Sequence, residues 1–207
     1  MNVDLVKTTI KVGDISLRND EGDNKIKIEW VKDIPNTLLT DESGRVYLIV
    51  VDGTIMKIGG SIAKNGIKGT WYGYCTALTG SPSIRSYGIH MLIKEELEKG
   101  KKVELYLILS EKVMAPVKGL FDSDIKEIGY DFKEMENKCK EDYRKIIGDY
   151  PPWNFQERNQ AWPIYIQEGC IELNKKTTEN SKKKLYEDTN KICGREDKSN
   201  QENNTIH

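Results

Sequence analysis

The sequence has no CxxC pair, no apolar run of membrane-spanning length and no excess of either charge. Its four cysteines, Cys75, Cys139, Cys170 and Cys193, stand far apart, which argues against a zinc cluster or a dense disulfide framework and leaves scattered structural thiols. A bilayer helix needs about 20 consecutive apolar residues, and no stretch approaches that. The first residues also lack the apolar core of a signal peptide. These absences predict a soluble, cytoplasmic protein with no membrane partner. With 32 basic residues against 33 acidic, net charge is −1, so a polyanionic partner would have to be held by local rather than overall charge. Histidine is scarce, at His90 and His207 only. No repeat of fixed period is present, which argues against a solenoid or propeller.

What remains is an ordinary globular composition, 37% hydrophobic and 31% charged over 207 residues, enough for one domain with appendages. Residues 1–40 are polar with short alternating stretches, clearest over Lys25–Trp30, and read as an N-terminal extension contributing an arm or an added edge strand. The turn Asp41-Glu42-Ser43-Gly44 leads into Arg45–Val51, whose nearly continuous apolar character predicts a buried central strand. Asp52-Gly53 is a strong hairpin signal returning the chain along Thr54–Gly59. Glycines at 59, 60, 66, 69, 73 and 80 predict a loop-rich insertion over residues 60–83. Apolar spacing then predicts a helix over Ile84–Lys99, a strand over Val103–Leu109 and a charged amphipathic helix over residues 131–147 stopped by Gly148 and Pro151-Pro152. Ordered character extends to residue 173, so residues 41–173 form the main domain. Residues 174–207 have too few apolar side chains to offset the entropy of ordering and read as a flexible tail. The expected fold is α/β, a small, mainly antiparallel central sheet flanked by helices.

Several residues of chemical interest follow in a definite order. Val46-Tyr47 lies on one strand and Lys57-Ile58-Gly59 on its hairpin partner. Arg85 opens a helix, carboxylates crowd a later helix, and Pro151-Pro152-Trp153-Asn154 closes the series as Pro-x-x-Asn. Taken singly, a tyrosine in an apolar strand is ordinary core, an exposed arginine ordinary surface, and a lone histidine ordinary structure. Taken in order over residues 44–154, the series resembles the GIY-YIG nuclease superfamily, and most closely its restriction-endonuclease branch, some of whose members have lysine in place of the second motif's tyrosine.

That resemblance implies a site. Phosphodiester hydrolysis requires a positioned water, a base, positive charge against the developing phosphorane and help for the leaving oxygen. Tyr47 is then the residue that activates water. A phenol of ordinary pKa, about 10, is a poor base at neutral pH, and Lys57 is expected to lower it while contacting phosphate. Arg85 offers a planar fork for phosphate oxygens. His90, five residues on, is a candidate proton relay, and Asn154 a supporting hydrogen-bonding group. The family's single divalent ion, Mg2+ with Mn2+ able to substitute, sits on a carboxylate about a dozen residues before the Pro-x-x-Asn loop and keeps several waters. That count selects Glu141, with Asp142 its near rival and Glu136 a third candidate sharing the apolar face with Tyr143. Lys64, Lys68, Trp71 and Tyr74, in the glycine-rich insertion, are candidate DNA contacts as much as a self-packed loop.

The resemblance thus implies a metal-dependent endonuclease acting on double-stranded DNA, in the form of a sequence-specific type II restriction enzyme working as a homodimer. A homing-type or structure-specific nicking nuclease, and a non-catalytic DNA-binding module on a degenerate nuclease scaffold, are the alternatives.

Overall fold

Arg45–Val51 (β3) is buried along its whole length, because helices cover both faces of the sheet it occupies. The computed structural model of the chain describes residues 1–20, 22–129 and 131–199, with backbone alone for 184–199. After a single 3-10 turn at Val3–Leu5 come β1 (Ile10–Leu17), β2 (Ile26–Trp30), α1 (Asn36–Thr40), β3, β4 (Thr54–Ser61), α2 (Gly66–Cys75), α3 (Ile84–Glu98), β5 (Val103–Leu109), β6 (Lys112–Lys118), β7 (Ser123–Gly129), α4 (Phe132–Ile147) and α5 (Ile164–Ser199). The main sheet runs β2-β1-β5-β3-β4 with every neighbour antiparallel. The chain is therefore α/β, a five-stranded antiparallel sheet flanked by helices.

Alternation along β3 sorts the core. Tyr47, Ile49 and Val51 face the cluster that holds Ile67, Trp71 and Tyr74 of α2 and Ile89 and Ile93 of α3. Val46, Leu48 and Val50 face the opposite way, with Ile55, Ile58 and Tyr143 of α4. Every second side chain of one strand thus supports a different helical layer, as a strand buried on both sides must.

Strands β3 and β5 coincide with their expected spans, and α4 ends at Gly148, whose φ of 87° supplies the left-handed C-cap. Three elements differ from expectation. The N-terminal extension supplies the expected edge strand as β2, but also a second strand, β1, which lies between β2 and β5; a register shift between Lys11 and Gly13 breaks the alternation that would have exposed β1 in the sequence. The insertion is not a loop. Its middle is α2, which buries Ile67, Trp71 and Tyr74 at helical spacing, while Gly66, at φ 65°, enters against the backbone of Leu39 and Thr40, where a Cβ would come within 2.4 Å of the Leu39 carbonyl oxygen. Finally, the polar stretch beyond Asn174 continues α5 to Ser199. Thr177 bonds the Gly80 carbonyl at 2.6 Å, whereas the hydroxyls of Thr178 and Ser181 bond their own helix, and residues 178–183 are exposed as the composition requires. Residues 200–207 lie outside the described residues.

Strands β6 and β7 form a separate hairpin exposed along almost its whole length. No helix among the described residues is long and apolar enough to cross a membrane.

Candidate active site

The edge strand β4 organises a cavity of about 450 Å³ lined by Tyr47, Lys57, Gly59, Gly60, Arg85, Glu136, Asn154 and Glu157, among others. Tyr47 pairs with Gly59 across the hairpin, and Lys57 with Ile49. Tyr47 and Lys57 are therefore diagonal neighbours on one face rather than directly opposed. Gly59 is what lets the phenol lie there, because a Cβ would come 2.4 Å from the Tyr47 hydroxyl. The next residue does the same on the other side. A Cβ on Gly60 would meet Glu136 Oε2 at 2.5 Å and the Phe132 ring at 2.8 Å, so α4 can bring a carboxylate to the strand edge.

Asn154 closes that edge. Its side-chain oxygen accepts from the Ile58 amide and its nitrogen donates to the Ile58 carbonyl, both at 2.9 Å. With Trp153 N donating to the Met56 carbonyl at 2.8 Å, the loop satisfies backbone groups that an edge strand otherwise leaves open. Arg85 stands exposed on the first turn of α3, after Ser83 has capped the helix by accepting from Ser86 N.

The electrostatics differ from the sequence expectation in one respect. Burial, with Tyr74 next, pushes the Tyr47 phenol well above its ordinary value, and the cation that acts against this is Arg85, not Lys57. The two phenols, Tyr47 and Tyr74, bond at 2.5 Å. Lys57 is itself only 7% exposed; burial and the neighbouring Arg85 push it down to about 8. Among the described residues no carboxylate forms an ion pair with it, an unusual situation for a buried ammonium.

The structure brings Tyr47, Lys57, Arg85 and Asn154 together and leaves the remaining sequence candidates elsewhere. His90 is fully buried, its Nδ1 at 2.8 Å from the Tyr74 carbonyl and its Nε2 accepting from Lys25 N at 3.4 Å. Burial lowers its pKa, so it is a neutral brace between α2, α3 and the start of β2, not a relay at the cavity. Glu141 accepts from the Tyr150 hydroxyl at 2.7 Å, and Asp142 is held by Lys138 at 2.5 Å; neither lines the cavity, because the helical turn that carries Glu136 there points them away. Trp71 and Tyr74 are core, at 1% and 5% exposure, which removes them as DNA contacts. Lys64 is exposed, and Lys68 donates to Asn36 at 2.5 Å and lies over the Trp30 ring.

No family model and no curated protein matches this chain. Solved structures that resemble it include the following two. One is a mutant of bacteriophage T4 EndoII, at 20% identity and TM-score 0.44, covering 73% of this chain and 95% of that one. The other is the restriction endonuclease HPY188I in complex with product DNA, at 18% identity and TM-score 0.46, covering 73% and 84% respectively.

One cavity residue, Glu157, and the lysine paired with it, Lys140, escaped the sequence reading. Glu157, three positions past Asn154, and Lys140, one helical turn past Glu136, meet in an ion pair, and Lys140 also bonds Glu136 at 2.6 Å. Burial opposes charge on both Lys140 and Glu157, yet the pairing wins, holding the lysine above and the glutamate below its ordinary range. For Lys140 the available signal was position, since it lies one turn before the core residue Tyr143. The donor set around Glu136 is carboxylate oxygen, which suits a hard divalent ion that retains water. No three His, Cys, Asp or Glu side chains gather into a closed cage among the described residues.

Proposed function

We propose that the chain is a metal-dependent endonuclease of the GIY-YIG type, hydrolysing phosphodiester bonds in double-stranded DNA, and that its role is sequence-specific cleavage by a homodimer. The observation that carries this reading is Lys57. A buried ammonium without an ion-pair partner is strongly unfavourable unless a ligand completes it, and here it borders an open cavity beside Arg85. The group that answers two adjacent cations, one of them a planar fork, is a phosphate.

In this reading Arg85 and Lys57 hold the scissile phosphate and offset the charge that develops on it. Tyr47 orients the attacking water through its phenol oxygen and takes up the proton. Arg85 favours the phenolate form this requires, while burial and Tyr74 oppose it. Glu136 replaces Glu141 as the residue that would hold a magnesium or manganese ion, with Glu157 beside it. Such an ion supplies Lewis-acid stabilisation of the phosphoryl and leaving oxygens. Asn154 keeps β4 and the loop in register. Exposed Lys64 is retained as a DNA contact.

The test is digestion of supercoiled plasmid with Mg2+, with Mn2+ and with EDTA. Discrete linear fragments in metal and none in EDTA are expected. Accumulation of nicked circles would instead favour a single-strand nicking enzyme, and DNA binding without any cleavage would identify a non-catalytic module.

Lys57 also sets a pH dependence. Its ammonium is lost as pH rises through about 8, so kcat/KM, which reports the free enzyme, is expected to fall above that pH, and Lys57→Arg to move the fall to higher pH. Stability runs the other way. Because the folded pKa lies below the ordinary 10.5, the unfolded chain binds the extra proton between those values, and this group makes the fold more stable as pH rises across that window. A pH–rate profile alongside melting curves separates the two.

A further inference from the structure

Lys140 is already a cation between the two carboxylates of the site. It lies four residues after Glu136 on α4, the spacing that stacks side chains along a helix, and its side chain is 9% exposed. Its ammonium bonds Oε1 of Glu136 at 2.6 Å and also Oε1 of Glu157. A carboxylate from α4 and one from the loop after Asn154 are thereby drawn onto a single positive charge, and both border the cavity that holds Tyr47, Lys57 and Arg85. Without a cation between them, two half-buried carboxylates repel. A divalent ion at this place asks for the same oxygens.

We infer that Lys140 is an internal counter-ion: it holds Glu136 and Glu157 together while no divalent ion is bound, and competes with that ion for them. Metal binding is then an exchange of ammonium for metal, and Glu157 is a second carboxylate of the cation site. Lysine suits this task because its ammonium sits on a flexible stem that can swing aside, whereas a guanidinium fork locks to its partners. The inference rests on the reading of Glu136 as a cation ligand.

Removing Lys140 should act in opposite directions on two quantities. Without metal, Lys140→Met leaves two carboxylates uncompensated and lowers the melting temperature. With metal, the competitor is gone and affinity rises. The experiment is a Mn2+ titration of the full chain, followed by electron paramagnetic resonance, on wild type, K140M, K140M/E157Q and E136Q, with melting curves in Mn2+ and in EDTA. The expected result is Mn2+ binding about tenfold tighter in K140M, recovery of its melting temperature by Mn2+, and loss of most of the gain on adding E157Q. Equal or weaker binding by folded K140M overturns the inference, as does a gain that E157Q leaves intact. If K140M does not fold, K140Q, which retains a donor for the carboxylates, enters the same comparison with the same criteria. E136Q separates the two levels of the argument. If it binds Mn2+ as wild type does, the cation-site reading fails; if it does not bind and K140M is unchanged, only the counter-ion role fails.

Discussion

Tyr47→Phe is expected to reduce DNA cleavage by about 10²- to 10⁴-fold, the range contributed by a positioned acid–base group, with DNA binding nearly unchanged. The substitution also has a structural effect that must be separated from the chemical one. Tyr47 is buried and its hydroxyl bonds the Tyr74 hydroxyl, so the variant leaves one buried hydroxyl without its partner, a loss of about 1–3 kcal/mol. Tyr74→Phe removes the same bond from the other side and does not touch the cavity lining. Equal melting temperatures for the two variants, with cleavage lost only at Tyr47, assign the phenol to chemistry. Cleavage by Tyr47→Phe at the wild-type rate would remove the proposed mechanism.

Glu136→Gln is the second large effect expected, a fall in cleavage of about 10²- to 10³-fold, comparable to losing a principal electrostatic contact to a developing oxyanion. Glu141→Gln serves as its control. Glu141 is half exposed and joined to Tyr150 and, more distantly, Arg144, an arrangement whose loss should change stability by a few tenths of a kcal/mol and leave the metal dependence of cleavage unaltered. Glutamine keeps the size and shape of Glu136, so Gly60 still accommodates it and folding is expected to survive. Metal titration of cleavage in both variants is decisive, and a metal response lost in Glu141→Gln but kept in Glu136→Gln would reverse the assignment.

The distinction between these two glutamates shows where sequence reasoning ran out. The central hairpin, β5, α3 and α4 are legible because their apolar periodicity is strong and their ends carry turn or cap residues. Tyr47, Lys57, Arg85 and Asn154 were legible through their order. The carboxylate was not, because counting residues back from a loop does not say which face of a helix turns towards it. Glu136 shares a face with Tyr143, seven positions on, and that rotation is what brings it to the cavity. Helix α2 was hidden by its glycines, although Ile67, Trp71 and Tyr74 recur at helical spacing. Strand β1 was hidden by a bulge. The pairing of Lys140 with Glu157 was out of reach for a different reason: it depends on a loop folding back over α4, which no local pattern encodes.

The adjacent glycines of β4 open a window through the sheet. Gly59 faces the layer of α2 and α3, Gly60 faces α4, and at this spot the wall between the layers is one bare backbone thick. A phenol from one side and a carboxylate from the other can therefore serve a single cavity at the strand's outer edge. A side chain on either glycine would shut one half: an alanine at 59 displaces the Tyr47 ring and an alanine at 60 displaces Glu136. The two layers are thus tied to each other at two consecutive positions, each half of the site depending on its own glycine.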